Sequence, residues 1–191
     1  MEPQLILASR SPRRRELLAQ VGLRFEVVDV DIDERPHPEE MPLDYVLRMA
    51  AEKARAGSAK VTRPRLPVLG ADTAVVVDDR ILGKPRDRDD ALAQLAILSD
   101  RSHEVLSAIA IAEPAESLCV ASTVTFRMLS SAEASAYCDT GEPFDKAGSY
   151  AIQGRAAMFV SHLDGSYSAV MGLPVHETCS MLARHGVRLW S

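Results

Sequence analysis

The segment Ser9-Arg10-Ser11-Pro12-Arg13-Arg14-Arg15 sets three consecutive cations directly behind a serine and a proline suited to open a helix. A helix N-terminus already carries partial positive charge and free N–H donors, so arginines gathered there cost free energy unless an anion satisfies them. Ser9 and Ser11 hydroxyls, helix N–H groups and the guanidinium forks of Arg13 and Arg14 together supply what a phosphate group needs. The plainer reading is a solvated cationic face, and that suffices for Arg15.

Carboxylates form the second group. Asp72 lies inside the apolar run Val68 to Val77, where its charge is costly unless a cation or hydrogen-bond donors meet it. It fits either a catalytic carboxylate or a strand-end residue capping a neighbouring turn. Gly70 beside it lets a ligand or another backbone come close. Asp31, Asp33 and Glu34 put three carboxylates in four positions, hard oxygen ligands suited to Mg²⁺ or Mn²⁺, although acidic turns are common. That reading gains weight only where Glu34 converges with Asp72.

Lys53 sits at the edge of a buried helical stripe of Leu43, Val46, Ala50 and Ala54, where an inward-leaning ammonium needs an anionic partner. Lys84, in Gly83-Lys84-Pro85, follows a hairpin in a rigid turn and reads equally as an ordinary snorkelling lysine. The stretches Phe144 to Gly154 and Gly165 to Pro174 mix small residues with isolated Asp, Lys, Tyr and Gln. They suit tight turns or a close-fitting pocket wall, in which Gln153 would present both a donor and an acceptor to a base edge.

Composition narrows the partners. The 191 residues are 47% hydrophobic and 26% charged, which excludes disorder, collagen-like repeats and a membrane bundle. With 22 basic against 27 acidic side chains the net charge is -5, which disfavours a nucleic-acid coat and leaves any anion site local. No apolar run approaches the ~18 residues that span a bilayer, and Leu5 to Ala8 before Arg10 is too short for a signal-peptide core. A cytoplasmic location is the expectation. Cys119, Cys138 and Cys179 are odd in number and widely spaced, so reduced, buried thiols are expected rather than a zinc site or disulfides. There is no Walker A loop, no dinucleotide-binding glycine pattern, no serine-hydrolase elbow and no zincin histidine pair. The five histidines read as surface or cap residues.

The elements that must position these groups follow from periodicity. Leu5 to Ala8 predicts a short buried strand, Ser11 an N-cap with Pro12 at N1, and Gly22 the helix stop. Phe25 to Val30 predicts a second strand, Leu43 to about Lys60 a helix, and Leu66 to Val77 a strand turning at Asp78-Asp79 into Arg80 to Leu82. A helix from Asp90 to Leu98, strands Val105 to Ala112 and Leu118 to Met128, and a helix with a Ser130/Glu133 capping box come next. Short strands and a binding loop are expected from Gly141 to Gly172, then a helix from Pro174 to Gly186. Strands and helices alternate without a strict period, which fits one α/β or α+β domain over residues 1–191 with a mixed sheet.

Seven blocks taken together resemble the Maf family of nucleoside triphosphate pyrophosphatases. They are Ser9 to Arg14, Asp31 to Glu34, Lys53-Ala54, Gly70 to Thr73, Gly83 to Pro85, Asp145 to Gly154 and Gly172 to Pro174, matching in order and spacing. The resemblance implies a Maf/inosine-triphosphate-pyrophosphatase type of α/β fold, its mixed twisted sheet split into two lobes around a central cleft. It implies hydrolysis of a nucleoside triphosphate to the monophosphate and pyrophosphate with a divalent cation, and the Asp145 to Tyr150 block resembles the branch acting on dTTP and UTP. Within the family Asp72 corresponds to the catalytic base, while Arg13, Thr73 and Gln153 correspond to residues of substrate choice. On this reading Glu34 and Asp72 would hold Mg²⁺ or Mn²⁺, and Arg13, Arg14, Lys53 and Lys84 would neutralise phosphate charge. Clearance of modified nucleotides and a homodimer are further expectations. The rival is a non-catalytic nucleotide sensor regulating cell division through a protein partner. The chain departs from the family pattern at Asp100, often Gly, and at Ala169, often Asn.

Overall fold

A computed structural model describes residues 2–61 and 66–190; positions 1, 62–65 and 191 of the expected domain lie outside the described residues. Within them, strands β1 (Leu5–Ala8), β2 (Phe25–Val27), β3 (Val68–Val77), β4 (Arg80–Leu82), β5 (Ser102–Ile111), β6 (Glu116–Phe126) and β7 (Val160–Asp164) form one mixed sheet. Its order is β2-β1-β3-β5-β6-β7, with β4 on β3. Parallel strands need crossovers, and these are α1 (Pro12–Gln20) between β1 and β2 and α2 (Pro42–Lys60) between β2 and β3. The remaining strands pair antiparallel.

The register on β3 creates a notch. β1 pairs with Val68 to Gly70 and β4 with Val75 to Val77, while β5 runs unbroken along the opposite edge from Leu69 to Val76. Two short strands therefore share one edge of β3 and leave residues 71–74 between them without a strand partner there. The side chains sort the same way. Leu69 and Ala71 join a core with Leu5, Leu7, α1 and α6 (Val175–Arg184). Val75 and Val77 join a second core with α3 (Arg88–Leu98) and α4 (Ser131–Asp139). Thr73 lies between the two, so the expected two lobes share a continuous sheet and part at one edge.

α2 covers the other face, packing Val46, Ala50 and Ala54 on Ala74, Val76, Leu106 and Ala108. Gly70 lets it come that close: a Cβ there would fall 2.2 Å from the Ala50 carbonyl oxygen and 2.5 Å from the Ala54 nitrogen. Of the two approaches its spacing allowed, the close one is by another backbone.

Most element expectations hold, and the exceptions have physical reasons. β2 stops at Val27, because the chain after Val28 leaves the sheet with Val28 and Val30 tucked against Ile6, Ala8 and Val68. Leu43 is 48% exposed, since it belongs to the first turn of α2 and the buried stripe begins at Val46. The stretch from Gly141 holds three 3₁₀ segments, Glu142–Asp145, Ala147–Ser149 and Arg155–Phe159, before β7 and α5 (Tyr167–Met171). His103 is no surface residue: it is buried edge-on between Phe126 and Tyr150, with Nε2 2.8 Å from the Tyr150 hydroxyl. Burial, with Arg101 nearby, pushes its pKa down to about 4 and keeps it neutral. Cys138 is buried and Cys119 and Cys179 are half-buried, all three as free thiols. No helix among the described residues is long and apolar enough to cross a membrane.

Candidate active site

A cleft of about 880 Å³ opens at the notch in β3. Ser9, Ser11, Arg13, Arg14, Glu34, Lys53, Asp72, Thr73, Lys84 and Gln153 all line it. Residues from six separate stretches of chain thus converge on the unpaired edge of one strand.

Its acidic side is built on α2. The close contact at Gly70 brings α2 down onto β3, and Lys53 reaches Asp72 Oδ1 at 2.7 Å. The same ammonium lies 2.7 Å from Glu34 Oε1. Lys53 and Asp72 are each 8% exposed, whereas the Glu34 side chain remains 54% exposed toward the cleft. Burial raises the Glu34 pKa, but the hydrogen bond to Lys53 and the charges of Lys53, Lys84 and Arg14 outweigh it and hold the group below its ordinary value.

Glu34 reaches this position because α2 ties down the segment that carries it. Tyr45 donates to the Glu34 carbonyl at 2.9 Å, Lys60 to the Asp29 carbonyl at 2.9 Å, and Arg48 to Glu40 at 2.7 Å and to the Arg35 carbonyl at 3.2 Å. The Arg48 bond, against a burial penalty, draws the Glu40 carboxyl down to about 2. The expected trio of carboxylates divides here. Asp31 joins Glu34 in the cleft lining, but Asp33 turns outward to pair with Arg35 at 2.6 Å. Among the described residues no group of three or more His, Cys, Asp or Glu side chains is arranged to hold a metal ion.

The cationic side is built on α1. Ser11 caps the helix, its Oγ 3.5 Å from the Arg14 nitrogen. Arg14, only 8% exposed, donates from Nε to the Gly172 carbonyl at 2.8 Å, from Nη1 to Ser9 Oγ at 3.1 Å and from Nη2 to Thr73 Oγ1 at 3.4 Å. All these acceptors are neutral. Burial lowers the Arg14 pKa and the Asp72 charge raises it, yet a guanidinium stays protonated, so the site carries a cation with no carboxylate in contact. Arg13 reaches Asp145 at 3.8 Å, and Arg15 is exposed, as a solvated residue should be. Lys84 is exposed at the cleft and forms no hydrogen bond or ion pair within the described residues.

Thr73 has a different immediate environment from that of a residue free to contact a base. Its hydroxyl lies 2.9 Å from Ser107 Oγ and 3.4 Å from both Arg14 Nη2 and the Gly172 carbonyl, and Ser107 in turn donates to the Ala169 carbonyl. It is a link in the cradle of Arg14. Gln153 is exposed in the cleft lining beside the buried Ile152.

Two contributors went unnoticed in the sequence, Tyr45 and Ser107, and Lys146 was marked only as part of the Phe144 to Gly154 pocket-wall stretch. Tyr45 had a usable signal, because it lies eight residues before Lys53 and so on the same helix face. Lys146 lines the cleft and pairs with Asp145, and its Nζ donates to the Glu142 carbonyl at 2.8 Å. Ser107, fully buried mid-strand in β5, was marked only by being polar in an apolar run.

Comparisons with known proteins give the family. The Maf-like protein family matches residues 4–185. A dTTP/UTP pyrophosphatase of Saccharophagus degradans is 51% identical over 190 residues, covering 97% of this chain and 90% of its own. The proteins of that name from Bordetella avium and Pasteurella multocida are 50% and 47% identical over 197 and 196 residues, each alignment covering 98% of both chains.

Proposed function

The chain belongs to the Maf-like protein family, and from that premise we propose that it is a nucleoside triphosphate pyrophosphatase converting dTTP and UTP to the monophosphate and pyrophosphate. Its activity resides in one domain over residues 1–191. The observation that carries the reading is the polarity of the cleft. Asp72 and Thr73 are neighbours on the unpaired edge of β3, one joined to Lys53 and Glu34, the other to a buried Arg14 that contacts only neutral acceptors. A polyanion bearing a bound cation has charges of both signs to match such a cleft.

Glu34 and Asp72 meet at the Lys53 ammonium, and Mg²⁺ and Mn²⁺ are cations that take one or two carboxylates and fill their remaining positions with phosphate oxygens and water. Glu34 and Asp72 would hold the ion, which supplies charge neutralisation on the phosphates.

The protein's own groups do the rest. Asp72 orients a water and accepts its proton as the oxygen attacks the α-phosphorus; the bond from that phosphorus to the α,β-bridging oxygen breaks and pyrophosphate departs. Lys53 holds Asp72 in place. Arg14, Arg13 and Lys84 neutralise charge gathering on the bridging and leaving oxygens, the electrostatic contribution that dominates such reactions. Ser9 and Thr73 hold the Arg14 fork toward the phosphates. Gln153 meets the pyrimidine edge with its amide. The reading also carries a cytoplasmic location, a compartment in which three free thiols persist.

The test is pyrophosphate release from dTTP, UTP, CTP, GTP and modified pyrimidine triphosphates, with and without Mg²⁺ or Mn²⁺. Release should be fastest from dTTP and UTP and should need the metal. Nucleotide binding without release of pyrophosphate would establish a sensor instead.

A further inference from the structure

Glu142 does not line the cleft, yet its carboxylate fixes the wall that presents Gln153. The turn from Ala151 to Gly154 is closed by the Gly154 N–H on the Ala151 carbonyl at 2.9 Å and carries Gln153 in its middle. The two N–H groups that follow both point at Glu142: Arg155 donates to Oε2 at 3.0 Å and Ala156 to Oε1 at 3.3 Å. The Tyr137 hydroxyl, from the buried side of α4, donates to Oε1 at 3.0 Å. The Glu142 nitrogen is itself anchored on Thr140 Oγ1 at 3.2 Å.

Gly154 completes the arrangement. A Cβ at that position would fall 2.4 Å from Glu142 Oε1 and 2.7 Å from Oε2. The Gly154 φ of −101° is open to any residue, so the requirement for glycine comes from the carboxylate that occupies the space. A carboxylate offers acceptors only and can serve three donors at once; an amide in its place must turn an NH₂ toward one of them.

We infer that Glu142 is a positioning residue for pyrimidine selectivity, setting the reach of Gln153 into the cleft by holding the turn that carries it. This deepens the proposed function and rests on it. Arg13, Arg14 and Lys84 sit on other elements, and Lys146 meets the backbone carbonyl of Glu142 rather than its side chain, so losing the carboxylate should disturb the nucleoside end of the site and spare the pyrophosphate end.

The experiment uses Glu142→Gln, Gly154→Ala and the double variant, with kcat/KM for UTP and GTP and inhibition by UMP and by pyrophosphate. Glu142→Gln should lower the UTP-over-GTP preference about fivefold, the size of one hydrogen bond's net contribution, and weaken UMP by a similar factor, with pyrophosphate inhibition kept within about twofold. Gly154→Ala, displacing the same carboxylate, should reproduce this, and the double variant should add little, since both changes break one contact. A preference unchanged in both single variants overturns the assignment, as does an equal weakening of UMP and pyrophosphate, the mark of a merely structural role. A wild-type protein that turns over UTP and GTP alike overturns the base-reading premise itself and this assignment with it, so the two failures are distinct.

Discussion

Two buried cations line the cleft, and they are compensated in opposite ways. Lys53 is held between two carboxylates, each at 2.7 Å, so the group as a whole is short of positive charge. Arg14 is equally buried but touches two hydroxyls and a carbonyl, so its charge is solvated by dipoles and left unneutralised. Removing a partner from a buried ion pair strands the other charge, whereas a lone buried cation is already paying its desolvation cost and gains from any anion that arrives. The Lys53 group is therefore built to hold itself together and the Arg14 group to wait for a ligand. The difference separates a centre for handling a water and a metal ion from one for gripping phosphate.

Breaking the acidic centre should have the largest effect. Asp72→Asn keeps the shape and a hydrogen bond to Lys53 but removes the proton acceptor, and turnover should fall by about 10² or more with little change in thermal midpoint. Near-normal pyrophosphate release from that variant would refute the role given to Asp72.

Next comes Lys53→Met, which leaves Asp72 and Glu34 facing each other without their cation. Folding stability should drop by about 2 kcal/mol at neutral pH, less than for a fully buried pair because Glu34 is half exposed. The pH dependence should change as well. The Glu34 pKa is depressed in the folded protein, so its contribution is present above the unfolded value near 4.5 and is lost as pH falls through the lower folded value. Lys53→Met should flatten that acid limb in urea titrations between neutral pH and about pH 3. An unaltered limb would mean that Lys53 does not govern Glu34.

Arg14→Met should give the reverse pattern, with smaller numbers. Stability should change by no more than about 1 kcal/mol, because an uncompensated charge leaves the interior with the hydrogen bonds it made. Inhibition by pyrophosphate should weaken about tenfold through loss of charge-assisted bonds. If instead stability collapsed and pyrophosphate affinity held, the contrast between the two cations would be wrong.

The sequence made the individual chemical groups legible more readily than the relation between them. The Ser11 cap, the Ser130/Glu133 capping box and the Asp78-Asp79 hairpin turn are local events, decided by a few adjacent residues, and each occurs where the chain announces it. Helical periodicity likewise marked Lys53 as leaning inward, and Asp72 as an acid in need of a partner. That each is the other's partner depends on a helix lying backbone-to-backbone on a strand at Gly70, which no local pattern encodes. The notch in β3 is less visible still. It arises because β1 and β4 claim the same strand edge from opposite ends, a matter of register between strands far apart in the sequence. Asp33 escaped for a related reason: three acids at a strand end look interchangeable until Arg35 claims one of them. His103 shows the limit of residue-type priors, since a histidine placed among aromatic rings is buried like one of them.

The weakest pair tests the contrast most finely. Arg13 and Asp145 meet at 3.8 Å at the mouth of the cleft, with the Asp145 side chain 67% exposed and also paired with Lys146. A long pair with one solvent-exposed partner adds little to stability, so Asp145→Asn should alter it by less than about 0.5 kcal/mol. Its charge nevertheless competes with phosphate for both Arg13 and Lys146. Removing it should tighten pyrophosphate inhibition about twofold, and added salt should shrink that gain because Asp145 is open to solvent. Weaker inhibition in Asp145→Asn would reverse the assignment. It would mean that Asp145 orients Arg13 for the phosphate rather than occupying it until the phosphate comes, and that this outer cation belongs with Lys53, held by its acids, and not with Arg14.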